Sequence, residues 1–541
     1  MQLISAIAVI AAIASGGVVD EPADRTGIAS SEMSAYVDQL ISQKRLITDL
    51  KVRIIDRKIV FDVSHTANKS EIPWLIQINI SDGEYRAFSK RYTADGYENS
   101  IHRQITANRK KLHSTVWVQK SSGSKVLTLP DGPIPASGDL GKDLEPLNEL
   151  LLESLRANNI PGATVAVASE GKIIFERGFG YSDLEPPTPM APNTTIRIAS
   201  ISKPITAVAV LLLVEDGKLQ LDDLVIDFLT RDRKFSLPAD ADPAWNRITI
   251  RNLLQHSGGW NRDKSKDTMF ELAEVTRSAK LDKIARIPDV VRYQMSQPLD
   301  FEPGSEYQYS NVGYCLLGRV IEAASEQSYE SFVTRRILIP AGMTQTRLGK
   351  TRLSDRADDE AHYYTQTIKT YPAVWEVASD KTSGGFEMVS APYGQWDLEV
   401  MDAHGGWTST ASDLVRFAMA MESPDNPLLT SDSLRVMKER PTFAGPAEGS
   451  WYGLGWDVRP IGGLEQANMW HIGLISGSST ILVKRWDNCV WAVLFNTDQT
   501  KDGKACSKVI DGPMHSAVSL SLRLVEQGRG DQTHVLEPKR P

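Results

Sequence analysis

The residue types best suited to covalent chemistry in this chain are Ser200 and Lys203, within Ile198-Ala199-Ser200-Ile201-Ser202-Lys203-Pro204. Three positions apart on a helix, their side chains share a face. A serine hydroxyl is a weak nucleophile at neutral pH and needs a neighbour to take its proton. A lysine can take it if burial or nearby cations lower its pKa. Pro204 fits a first helical turn, where its missing N–H costs nothing. The free N–H groups at that helix start suit a developing oxyanion at Ser200. Ser-x-x-Lys alone reads equally as a capped helix with a surface lysine. Two further triplets follow it. Tyr309-Ser310-Asn311 supplies a phenol able to relay protons and an amide able to orient substrate or lysine. His471-Ile472-Gly473 precedes Gly477 and the strand SSTILV. A glycine there lets an edge strand approach a substrate backbone, and a free N–H beside it can complete an oxyanion hole. Singly, Tyr309 reads as a core aromatic and Gly473 as turn chemistry; in this order the three triplets point to acyl transfer.

The elements that must position them fall late in a chain of 541 residues. Leu144 to Asn158 has helical spacing. Ala163 to Ala168 and Lys172 to Arg177 read as a hairpin turning at Glu170-Gly171. Ile198 to Glu215, Asn311 to Ala324 and Ser412 to Met421 read as helices. Leu454 to Val458, Ser479 to Val483 and Val490 to Phe495 read as strands. Strands at both ends with helices between predict one sheet closed by both termini and an inserted helical part, an α+β domain over residues 142–526. Residues 120–141, rich in Ser, Gly and Pro, read as a linker, and 527–541 as a flexible tail. Residues 32–119 carry a doubled helix–strand–strand pattern, a small α+β domain, with Tyr36 and Tyr85, and Asp49 and Glu98, each 49 residues apart. Residues 20–31 read as a linker. The apolar run Leu3 to Ala14 is too short to span a bilayer, and Ala12-Ile13-Ala14 offers a small-x-small cleavage step, so residues 1–19 are expected to be a signal peptide and the protein to be exported.

Hydrophobic residues make up 41% and charged residues 24%, which excludes wholesale disorder. The net charge of −8 gives no global reason to gather on nucleic acid. No further stretch is apolar enough to cross a membrane, so no span is expected in the mature chain. Nine histidines and three cysteines show no metal-ligand spacing, and no cofactor or metal is expected. There is no G-x-S-x-G, which excludes the α/β-hydrolase elbow. Cys315 reads as a buried thiol. Export would permit a Cys489–Cys506 disulfide, which spacing alone leaves open.

The stretch from Lys142 to Glu526 resembles the serine β-lactamase and penicillin-binding-protein superfamily, in its class C β-lactamase-related branch. Beyond the three triplets, IPGATVAVASEGKIIFERGFGYSD, LLQHSGGW, FEPGSEYQYSNVGYCLLGRVIE, ILIPAGMTQT, GGWTSTASDLVRFAMAM and WYGLGW are similar to segments of that family in its usual order. The resemblance implies an antiparallel sheet flanked by helices, a helical subdomain, and an acyl-enzyme at Ser200. It implies that Lys203 and Tyr309 share the base and acid work, that Asn311 positions Lys203 and the substrate amide, and that the N–H groups of Ser200 and Leu474 form the oxyanion hole. His471 stands where family members usually place the lysine of Lys-Thr-Gly; imidazole is mostly neutral near pH 7 and supplies no fixed cation. This favours a peptidase or esterase acting on a small-molecule or peptide substrate over a β-lactamase or D,D-carboxypeptidase. A non-catalytic binding module of the same fold is the third reading, against which the intact Ser200, Lys203, Tyr309 and Asn311 speak. His256-Ser257-Gly258-Gly259 and His404-Gly405-Gly406 read as turns shaping the cleft edge. Trp260 and Trp407 are candidates, with Gly473, for lining the substrate groove. The doubled N-terminal pattern and its closing VWVQ resemble the tandem repeats of the polyglycine hydrolase group of secreted endopeptidases, which implies presentation of an extended polymer.

Overall fold

The computed structural model describes residues 24–68, 74–94, 97–107, 110–119, 125–141, 144–231, 235–376, 387–425, 427–443, 449–463 and 466–534. The expected signal peptide and residues 535–541 of the expected tail lie outside them. Two compact units divide the chain: Met1–Lys125 with Lys369–Ser390, and Val126–Ile368 with Ala391–Pro541.

In the first unit β1 (Arg25–Ala29), α1 (Met33–Ser42), β2 (Arg45–Ile55) and β3 (Lys58–Ala67) are followed by β4 (Trp74–Ser81), α2 (Asp82–Ala94), β5 (Tyr97–Ala107) and β6 (Lys110–Gln119). Their antiparallel sheets have the matching orders β1-β3-β2 and β4-β6-β5. The repeat is thus strand–helix–strand–strand, and part of the segment read as a linker over 20–31 is its first strand. The structural register is 52 residues, not 49. Ile28 pairs with Phe61 and Ile80 with His113; Ile47 pairs with His65 and Asn99 with Trp117. Buried Tyr36 therefore corresponds to buried Phe88, and Leu40 to Tyr92. The two tyrosines 49 residues apart occupy different helical positions, because packing matches buried sites rather than residue identity. Met33, Val37 and Leu40 of α1 share one core with Leu50, Phe61, Val63, Ile76, Ile101 and Val116.

The second unit is built on a nine-stranded sheet. Its strands are β7 (Ala136–Ser137), β8 (Gly162–Ser169), β9 (Lys172–Leu184), β10 (Pro187–Pro189), β11 (Trp451–Tyr452), β12 (Asp457–Pro460), β13 (Ala467–Ile475), β14 (Ser478–Lys484) and β15 (Cys489–Phe495). The order is β10-β9-β8-β15-β14-β13-β12-β11, with β7 also paired to β9. β7 lies in the segment read as a linker over 120–141, so that segment is partly sheet. β8 and β15 pair antiparallel from Ala163–Phe495 to Ser169–Cys489, joining early and late chain as expected. Glu170 and Gly171 both have positive φ, as the two-residue turn between β8 and β9 requires.

α3 (Glu145–Asn158) presents Leu147, Leu151 and Leu155 at four-residue spacing to the sheet and to Ile510, Met514 and Val518 of the last helix, Cys506–His534. That helix runs into the stretch read as a loose tail. α4 (Ser202–Glu215) is apolar on all sides and buried from Ser202 to Leu213, so it is enclosed rather than laid on a surface. α5 (Asn311–Ser325) is capped by Ser310, whose hydroxyl accepts from the Gly313 N–H at 3.2 Å. All three cysteines are free and buried. Cys489 and Cys506 share the core under the sheet without a disulfide, and burial pushes the Cys489 thiol up to about 12.

Candidate active site

A short 3₁₀ turn, Ala199–Ile201, carries Ser200 into the first turn of α4. Ala199 has φ +45°, a left-handed conformation that alanine rarely adopts. The Ser202 hydroxyl holds the turn by donating to the Ala199 carbonyl at 2.7 Å. β13 passes against the same turn. Its pairing with β12 stops at Trp470, leaving the outer edge from His471 to Ile475 without a strand neighbour. Only glycine fits at position 473: a Cβ there would stand 2.1 Å from the Ile198 carbonyl oxygen and 2.3 Å from the Thr480 hydroxyl. Gly473→Ala is expected to push β13 off the nucleophile turn and slow acylation by about a hundredfold, since ångström misplacements cost that much. Burst kinetics with a chromogenic ester check this; a wild-type burst rate would show that the approach does not matter.

Lys203 is completely buried beneath Ser200. Its Nζ lies 3.0 Å from Ser200 Oγ, 2.7 Å from Asn311 Oδ1 and 2.9 Å from the His404 carbonyl oxygen. Burial holds its pKa well below 10.5, the Asp267 carboxylate works against this, and Arg262 works with it. A neutral amine has two N–H bonds and one lone pair. Asn311 Oδ1 and the His404 oxygen, both pure acceptors, take the two N–H bonds, so the lone pair faces the Ser200 hydroxyl. Tyr309 completes the group. Its phenol lies beside Ser200, and burial raises its pKa above 10, so the phenol is protonated and able to donate. The Lys203 ammonium position is 4.7 Å from the Tyr309 ring centre.

The rate should therefore depend on pH chiefly through Lys203, the group that must accept the serine proton. Its protonated form cannot accept the serine proton, so kcat/KM falls as pH drops below the depressed lysine pKa. The raised phenol pKa keeps the plateau level to beyond pH 9. A stopped-assay pH profile with a loss of activity between pH 8 and 9 would assign a different acid.

The structure brings Ser200, Lys203, Tyr309 and Asn311 together. His471 stands one step away. Its Nδ1 is 2.7 Å from the Ile472 carbonyl and its Nε2 is 3.0 Å from the Tyr452 hydroxyl, with no hydrogen bond to the Ser–Lys–Tyr group. Burial above all lowers its pKa to about 3, so it is a neutral wall residue. Leu474 lies on the free edge of β13, about half exposed. Trp260 is buried and lines a small cavity with Tyr309, Asn311, Arg262 and Asp267. Trp407 does not. It is fully buried, and its indole N–H donates to the Tyr329 hydroxyl at 3.1 Å. It opens the short, fully buried strand Trp407–Ser409 and is core, and its carbonyl accepts the Ile198 N–H at 2.9 Å.

Several contributors were not legible as such. His256, read as a turn residue, is the hub under Tyr309. Its ring centre lies 4.2 Å from that of Tyr309, 4.5 Å from Tyr452 and 5.1 Å from Tyr314. Its Nδ1 accepts the Ser310 N–H at 3.1 Å, fixing the YSN turn. His404 contributes a carbonyl, which no side-chain pattern announces. Asp267, after the Gly-Gly turn, accepts the Asn311 amide N–H at 2.6 Å. Among the described residues no group of His, Cys, Asp or Glu is arranged to hold a metal ion, and no helix is long and apolar enough to cross a membrane.

A half-buried serine beside a buried lysine, with a tyrosine next to them, at the junction of an antiparallel sheet and a helical region, is the arrangement of a serine hydrolase. The β-lactamase family model matches residues 147–511, and the chain belongs to that family. Penicillin-binding protein 4* of Bacillus subtilis (strain 168) is 31% identical over 344 residues, covering 63% of this chain and 69% of that protein. Protein flp of Staphylococcus aureus (strain N315) is 30% identical over 212 residues, so that match spans 39% of this chain and two fifths (40%) of flp. The fold is shared with D-amino acid amidase from Ochrobactrum anthropi SV3, crystallised with L-phenylalanine amide, at TM-score 0.52 and 23% identity, covering 72% of this chain and all (100%) of the amidase.

Proposed function

We propose that the protein is an exported hydrolase that cleaves a peptide amide or an ester by acyl transfer to Ser200. Lys203 takes the hydroxyl proton as Ser200 attacks the carbonyl. The Ser200 and Leu474 N–H groups receive the oxyanion. Tyr309, beside the nucleophile, hands a proton to the leaving group, and a water reverses the steps to release the acid. Asn311 orients Lys203 and the substrate amide, and Trp260 and Gly473 line the groove.

The observation that carries this reading is the donor–acceptor pattern at Lys203, whose two carbonyl acceptors leave its lone pair 3.0 Å from Ser200 Oγ. The choice of an open amide or ester over a β-lactam is supported by His471. A neutral imidazole tied to Tyr452 offers no fixed cation for the carboxylate that penicillins carry. Export is supported by the apolar run at Leu3 to Ala14. The test is turnover of p-nitrophenyl esters, D- and L-peptide amides, oligoglycine and nitrocefin, each with Ser200→Ala as control. Turnover of an ester or amide at least tenfold faster than nitrocefin is expected; efficient nitrocefin hydrolysis would return the β-lactamase reading.

A further inference from the structure

Asn311 has no intrinsic reason to present its oxygen rather than its nitrogen to Lys203, since an amide can turn over and exchange the two. Something must hold it. The Asp267 side chain is the N-cap of the 3₁₀ turn Thr268–Phe270, with Oδ1 accepting the Met269 N–H at 3.2 Å. Its other oxygen, Oδ2, accepts Asn311 Nδ2 at 2.6 Å, a short, charge-assisted bond. A cap needs only one acceptor, and asparagine serves as well. A carboxylate is needed at Oδ2 because it can only accept. It also lines the small cavity beside Tyr309 and Asn311.

We propose that Asp267 is a positioning residue that locks the Asn311 amide with Oδ1 toward Lys203, so that the lysine lone pair is left for Ser200. This rests on Lys203 being the acylation base.

The charges around Lys203 fit that role. Asp267 is the carboxylate whose field reaches it, and Arg262, 5.2 Å from the Tyr309 ring centre, is the opposing cation. His256, His404 and His471 also face it, all with pKa values pushed down by burial, and Tyr309 and Tyr314 lie with ring centres 4.7 and 5.7 Å from Nζ. The histidines and phenols are uncharged, so the ionic balance at Lys203 lies between Arg262 and Asp267, whose pKa burial raises while the hydrogen bonds from Asn311 and Met269 work to keep it ionised.

Asp267→Asn tests the assignment. The cap keeps the new oxygen on Met269, so an amide nitrogen now faces Asn311 Nδ2. Two donors oppose each other, Asn311 turns over, and Lys203 loses an acceptor. The expected result is a fall in kcat of about a hundredfold with KM little changed and a melting temperature close to wild type. The reciprocal variant D267N/N311D restores an acceptor facing both Lys203 and position 267. It should regain at least tenfold in kcat over D267N at high pH, with its acidic limb moved upward by the new anion beside the lysine.

A D267N enzyme with wild-type kcat and pH profile would overturn the proposal. So would a folded swap variant no faster than D267N at any pH, or a D267N chain that fails to fold and is not restored by the swap, since Asp267 would then be only structural. Lys203→Ala separates the two levels. Near-wild-type activity there removes the base itself, whereas an inactive K203A beside a normal D267N removes only the role of Asp267.

Discussion

Ser200→Ala is expected to abolish both turnover and labelling by a fluorophosphonate probe while leaving the fold intact. Removing the hydroxyl deletes the group that would form the acyl bond, so the loss should be the whole catalysed rate rather than a fraction of it. The fold is spared because the 3₁₀ turn is held by Ser202 and by the backbone bond from Ile198 to Trp407, not by Ser200 itself. Lys203 keeps its bonds to Asn311 and His404 in the variant. The measurement is gel fluorescence of wild type and variant after identical probe exposure, beside a thermal melt. Labelling that persists would move the nucleophile to another residue and end the assignment.

Lys203→Ala should cost about a thousandfold or more in kcat, with a smaller change in KM. The amine contacts Ser200 directly and is sealed from solvent, so water cannot take its place without opening the junction between α4, α5 and the segment around His404. The substitution also leaves Asn311 Oδ1 and the His404 oxygen without their buried donor, so some loss of stability accompanies the loss of rate. Single-turnover acylation of a p-nitrophenyl ester at several pH values reads the effect apart from product release. A rate within tenfold of wild type would transfer the base role to Tyr309, despite the raised pKa that keeps its phenol protonated.

The chemistry was legible in the sequence because its parts are local. Ser200 and Lys203 are only three residues apart, across the 3₁₀ turn that leads into α4, so local geometry brings them close. The hairpin at Glu170-Gly171 and the repeated α+β pattern are likewise short-range. The repeat register was not, because 49 and 52 residues differ only in which helical position faces the core, and burial decides that. The first strand of each repeat, and β7 inside a Ser/Gly/Pro-rich segment, are defined by backbone pairing to distant partners, which composition does not report.

The sequence by itself placed a hydroxyl and an amine three residues apart at a helix start and put an imidazole, not a fixed cation, at His471. Only the tertiary structure decided how the amine is held. Its acceptors come from Asn311, 108 positions away, and from a backbone oxygen at His404, 201 positions away. It likewise decided that Trp407 is core while Trp260 lines the cavity, and that Asp267 stands behind Asn311. The reason is physical. Helical and turn geometry act over a few residues and are written in residue type, whereas burial and the direction of a carbonyl or an amide depend on which segments pack together.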